Sequence, residues 1–167
     1  MKDFSIVSGG QTGVDRAALD AALAAGFSTG GWCPRGRRSE NGRIPDCYSL
    51  QETDAKSYAV RTEWNVRDSD ATLILILDEI SSGTRLTLRS AEQQGRPHLV
   101  VRLLPVEGGL FEGQVTQRDL IGRAVDWVAE ENVTTLNVAG PRGSARTDVY
   151  ERAREFMDEF LAQILQV

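Results

Sequence analysis

The sequence predicts a single doubly wound α/β domain, with a mainly parallel five-stranded sheet and helices on both faces. Three observations lead there. Short apolar runs alternate with helical patterns along the 167 residues, the run at 71–77 is apolar almost throughout, and glycine-rich turns follow several of the runs. Alternation of this kind implies right-handed crossovers, and the expected strand order is 2-1-3-4-5, with the chain reversing direction between strands 1 and 3. Ligands of open α/β sheets sit outside the strand ends at such a reversal.

The elements follow in order. Phe4, Ile6 and Val7 form a short strand that ends in Ser8-Gly9-Gly10-Gln11-Thr12-Gly13. The next stretch places Val14, Ala18, Ala21, Ala22 and Ala25 at helical spacing, and Gly26 terminates it. A second strand is expected over Thr29 to Cys33. Pro34 then opens a long loop, Arg35 to Asp46, of a length that is usually either functional or disordered. Tyr58 to Arg67 reads as a helix, and Ala71 to Leu77 as a strand covered on both faces. Gly83-Thr84 opens a helix that runs to Gln94, and His98 to Leu104 is the fourth strand. Thr116 to Glu131 is helical, Thr134 to Val138 is the fifth strand, and Ala145 to Leu165 is the last helix, with Val149, Ala153, Phe156, Phe160 and Ile164 on one stripe.

Composition narrows the function. A length of 167 residues with 41% hydrophobic content suits one domain, residues 1–167, and no internal repeat divides it. The net charge of −5 argues against a grip on nucleic-acid backbones. No apolar run approaches the ~20 residues that cross a bilayer, so no membrane partner is expected. Two cysteines, Cys33 and Cys47, make no disulfide framework, and no secretory signal opens the chain, which together suit a cytoplasmic protein. The single histidine, His98, has no partners for a metal site and reads as a strand-edge or core residue; no metal ligands and no catalytic residues are assigned.

The strongest functional feature is the glycine turn Gly9, Gly10, Gln11, Thr12, Gly13 between a strand and a helix. Its glycines admit a ligand close to the backbone, and unpaired amides at a helix start prefer negative charge. A phosphate fits such a place. A plain tight turn with Thr12 as helix cap is the alternative. Gly83-Thr84 repeats the construction after the third strand, so two helix starts are expected to face one ligand. A capping role for Ser82 or Thr84 is the alternative there. Gly140-Pro141-Arg142-Gly143-Ser144 is a third turn of the kind, expected near the sheet edge, where it touches the ligand, serves a neighbouring subunit or caps the last helix. Arg35, Arg37, Arg38 and Arg43 form a positive cluster in the long loop, suited to oxyanions or merely solvated. Arg16 and Arg35 add charge near the phosphate, and Trp32 is a candidate platform for a planar ring, or a core residue. Tyr58, Arg61, Asn65 and Asp68 share one helix face, which reads as solvated. No serine elbow, triad or paired carboxylates point to hydrolysis.

The runs at 8–19 and 31–38, Ile44-Pro45 with Tyr48, Arg61-Thr62 with Asn65-Val66, Asp68-Ser69-Asp70, and 137–142 resemble the molybdenum carrier family, the proteins similar to molybdenum cofactor carrier protein. That family is similar in turn to the lysine-decarboxylase-like Rossmann group, which includes phosphoribohydrolases. The resemblance implies a doubly wound sheet, a homo-oligomer (dimer or tetramer), and a small phosphorylated ligand: the molybdenum cofactor (molybdopterin) or a nucleotide derivative. It implies a carrier, with a nucleotide-processing enzyme or a nucleotide-sensing domain as alternatives. The phosphoribohydrolases carry Pro-Gly-Gly-x-Gly-Thr-x-x-Glu, and Thr87 stands where their glutamate acts. Threonine is no carboxylate base, which lowers the enzymatic reading.

Overall fold

In the computed structural model, residues 3–103 and 115–166 are described. Five parallel strands make one sheet: β1 (Ser5–Val7), β2 (Ser28–Gly30), β3 (Ala71–Ile76), β4 (His98–Arg102) and β5 (Thr135–Ala139). Five helices alternate with them: α1 (Val14–Ala24), α2 (Tyr58–Arg67), α3 (Ser82–Gln93), α4 (Gln117–Glu130) and α5 (Val149–Ile164). The doubly wound Rossmann-like class is as the alternation predicts. The end of the expected fourth strand, Leu104, lies outside the described residues.

In space the strands run β2-β1-β5-β3-β4. Counted cyclically from β3, through the chain ends and on to β2, this is the 2-1-3-4-5 arrangement, entered at a different point. The expected contact between the first and third strands is therefore corrected: β5 lies between them, pairing Ile6 with Leu136 on one side and Leu73 with Val138 on the other. Local patterns identify strands but say nothing about where a late strand inserts.

Alternation in β3 sorts the two faces. Ala71, Leu73 and Leu75 join Ile6, Leu136 and Val138 in the main core beneath α1, α5 and α4, where Phe156, Phe160 and Leu161 are fully buried. Thr72, Ile74 and Ile76 point to the other face, which α2 and α3 cover with small polar side chains: Thr62, Thr84, Thr87 and Ser90. There Asn137 Nδ2 donates to Thr72 Oγ1 at 3.2 Å. The second strand is shorter than expected because Gly31, at φ 124°, turns the chain against the Ser8 carbonyl. Trp32–Cys33 then pairs with Gln51–Glu52 in a separate ladder.

The long loop has structure of its own. Arg38–Ser39 and Gly42–Arg43 form a small antiparallel hairpin with Glu40 and Asn41 at its tip. Arg37 is buried and donates to the carbonyls of Ile44, Pro45, Tyr48 and Leu50, holding the segment over a satellite core of Leu19, Cys33, Ile44, Tyr48 and Leu50. A guanidinium so fully engaged is a clip, and Arg37 leaves the expected oxyanion cluster.

Candidate functional site

Parallel strands deliver their following loops to one rim. Here the loops after β1, β5 and β3 meet, and a cavity of ≈ 120 Å³ opens among them. Gln11 and Asp15 line it from the first loop and α1, Tyr58, Arg61 and Thr62 from α2, and Gly140 and Arg142 from the loop after β5. Ser81, Ser82, Gly83, Leu86 and Thr87 complete it from the start of α3. Of the two turns expected to hold the ligand, Gln11 and Gly83 line the cavity, whereas Gly9, Gly10, Thr12, Gly13 and Thr84 are not among its lining residues. The 140–144 turn, expected near the edge, sits between the two turns because β5 is central.

At the base of the cavity Arg61 reaches over Gly9. A Cβ on Gly9 would fall 1.7 Å from Arg61 Nη1, so only glycine leaves room for the guanidinium. Nη1 donates to Asp15 Oδ2 at 3.1 Å, and the same oxygen accepts from the Gln11 amide at 3.1 Å. Burial pushes the Asp15 carboxyl above the ordinary range, against the opposing pull of Arg61 and of the Gln11 amide. Arg61 Nε is buried and has no acceptor, alone among the buried side-chain nitrogens and oxygens described. A buried donor without a partner is costly.

The first turn gives fewer amides to a ligand than expected. Those of Gln11, Thr12 and Val14 donate to Asp15 Oδ2, Gln11 Oε1 and the Pro141 carbonyl. Gly13, at φ 80°, lies against the backbone of Pro141 to Gly143. Gly10 packs on Ile44 and Leu50. Thr12 does not cap α1; its hydroxyl accepts from the Gly143 amide at 3.0 Å and donates to Glu40.

The start of α3 is open by comparison. Nothing lies within 4 Å of a Cβ built on Gly83. Thr84, by contrast, is buried, its amide capped by Ser81 Oγ at 3.3 Å and its hydroxyl bonded to the same oxygen at 2.9 Å. Ser81 is the cap that the sequence reading placed one or three residues later. Thr87 lines the cavity and donates back to the Gly83 carbonyl at 3.4 Å.

Beyond the two turns, Trp32, Arg35 and Arg16 also stand outside the cavity lining. Trp32 packs edge-on against Trp64, centroids 4.8 Å apart, and its Nε1 donates to Asp68 at 2.7 Å, so the indole is a packing residue. Arg35 is exposed, tied only through its amide to the Ala55 carbonyl. Arg16 donates to the Gly10 carbonyl, Ser39 Oγ and Asn41 Oδ1, stapling the hairpin to the first turn. Arg61 and Tyr58, which spacing alone assigned to a solvated face, are in the cavity. The missed signal was Gly9, the one residue type that lets an arginine from another helix through. His98 is half-buried on an edge strand with Nδ1 3.2 Å from the Arg96 carbonyl, as expected.

Comparison with known proteins agrees with this architecture. A solved structure named "Putative molybdenum carrier protein", from Syntrophus aciditrophicus SB, is 38% identical, covers 96% of each chain and superposes with a TM-score of 0.87. No curated protein matches the chain. Residues 6–161 match the family described as circularly permutated YpsA SLOG, a description that fits the cyclically shifted strand order, and the chain belongs to that family.

Proposed function

We propose that the chain binds and carries a small phosphorylated ligand, a molybdopterin-type cofactor or a nucleotide derivative, with the phosphate in the rim cavity. The observation that carries this reading is Arg61, a guanidinium with a buried, unpartnered Nε, in the lining of a cavity that the open start of α3 also lines. A guanidinium, a helix start and the Ser81 and Ser82 hydroxyls suit phosphate oxygens. At ≈ 120 Å³ the cavity encloses a phosphate-sized group, well short of the roughly 300 Å³ where pockets for whole drug-sized ligands begin. The ring system would then extend beyond the cavity.

The donor set fits the phosphate end of molybdopterin. Among the described residues no three His, Cys, Asp or Glu side chains are grouped to hold a metal ion. The name of the Syntrophus protein supports the choice of cofactor. Binding without turnover is favoured because Thr87 occupies the cavity wall at the position of the phosphoribohydrolase glutamate, and Asp15 is committed to Arg61. The resemblance further supports a cytoplasmic homo-oligomer; among the described residues no helix is long and apolar enough to cross a membrane.

Calorimetry with molybdenum cofactor, free molybdopterin and nucleoside monophosphates tests the reading, followed by chromatography of each ligand. Binding of at least one ligand, recovered unchanged, is expected, with about tenfold weaker affinity in Arg61→Lys, which keeps the charge and loses Nε. Silence with every ligand sinks it, and a cleaved product replaces the carrier with an enzyme.

A further inference from the structure

The tip of the 38–43 hairpin puts a carboxylate where a second anion belongs. Loop-tip side chains are ordinarily solvated. Glu40 is at such a tip, yet its side chain is only 19% exposed. Its carboxylate accepts from the Thr12 hydroxyl, the Ser144 hydroxyl and the Ser144 amide, the last at 3.0 Å, with Arg142 Nε 3.9 Å away. Thr12 has no freedom in this: because its oxygen accepts from the Gly143 amide, its own proton is turned toward Glu40. Two hydroxyls, an amide and a guanidinium from two separate loops therefore converge on one oxyanion. Burial opposes ionisation there, but the hydrogen bonds from Ser144 and Thr12 and the charge of Arg142 outweigh it and hold the carboxyl below its ordinary range.

This position adjoins the cavity. Arg142 belongs to both, and Gln11, which lines the cavity, accepts from the Glu40 amide at 2.9 Å. The geometry points to Glu40 as an internal occupant of a second oxyanion subsite, and to the hairpin as a strap that a ligand with two neighbouring phosphates displaces. The inference rests on the reading that the first phosphate lies beside Arg61, and it narrows the ligand to a diphosphate-type ester. The strap has a fixed root, the Arg37 clip, and a detachable tip, held by Glu40 and by Arg16 on Ser39 and Asn41. A phosphate brings more negative charge than the carboxylate to the same four donors, so the exchange favours the ligand.

The test titrates orthophosphate and pyrophosphate into the full chain as wild type, Glu40→Gln and Glu40→Gln with Arg142→Ala. Glutamine keeps the size and removes the charge. The expected result is one orthophosphate per wild-type chain and two per Glu40→Gln chain, returning to one when Arg142 is also lost, with pyrophosphate about tenfold tighter in Glu40→Gln. One orthophosphate in both wild type and Glu40→Gln, with equal or weaker pyrophosphate binding, overturns the strap and leaves the Arg61 cavity standing. None in wild type and one in Glu40→Gln that requires Arg142 supports the strap and removes the cavity reading, whereas none in either overturns both. If Glu40→Gln does not fold, hydrogen exchange on the wild type decides: saturating pyrophosphate is expected to speed exchange severalfold over residues 38–43, and unchanged or slower exchange overturns the strap.

Discussion

The two glycine turns at the rim, 9–13 and 81–84, share a construction in sequence, strand then glycine then helix, and differ in what the glycine is for. In the first turn the missing Cβ makes room for protein: Arg61 passes over Gly9, and the Pro141 carbonyl would sit 2.5 Å from a Cβ on Gly13. In the second, Gly83 faces open space. The comparison teaches that a glycine-rich loop at a helix start is two different objects according to whether its amides are engaged. The first is a packing joint that positions an arginine, and the second is an open surface, the one to which the proposed function assigns the ligand.

The largest effect that would test this contrast is at Gly13. Gly13→Ala forces a left-handed alanine against backbone that cannot yield, and a loss of about 4 kcal/mol is expected by urea denaturation. Arg61→Ala comes next, at about 3 kcal/mol, because it leaves Asp15 buried without its partner. Gly9→Ala expels only the flexible end of the same side chain, and it and Arg61→Ala are both expected to weaken ligand binding in calorimetry; independent behaviour of the two would break the joint.

Asp15 sharpens the comparison through pH. Its folded carboxyl lies above the ordinary value, so its contribution to stability is complete below about pH 4 and is lost as pH rises through the folded pKa. Glu40, Asp70 and Asp148, all held low, act in the opposite sense, losing their contribution as pH falls, and are common to wild type and Asp15→Asn. The difference in unfolding free energy between these two proteins should therefore shift against the wild type as pH rises above about 4, and a flat difference would refute the burial of that charge. The smallest effect belongs to Gly83→Ala: a gain in stability below about 1 kcal/mol, since alanine is the better helix former, accompanied by weaker ligand binding.

Much of this was readable in the chain. The helix read over Tyr58 to Arg67 has those bounds in the structure, and β3 is buried along its whole length as its apolar run requires. The rest failed for one physical reason: side-chain periodicity reports which way a residue faces, and pairing across the sheet is non-local. Chain order alone puts the fifth strand at the margin, and the 140–144 turn with it, whereas β5 is central. The spacing of Arg61 on its own helix points to solvent, because nothing on that helix reveals a gap at Gly9. Trp32 was a fair candidate for stacking until Trp64 and Asp68 met it.

The central place of β5 has a consequence for assembly. Until residues 135–139 are available, β1 with β2 and β3 with β4 can form only two separate two-stranded ribbons, and such ribbons are marginal in water. The closing wedge is the last strand of the sheet to leave the ribosome, so from the completion of β4 until that of β5 an unfilled slot lies between two exposed edges. The rim takes shape at that same late moment, because the turn that joins its two halves follows directly on the wedge.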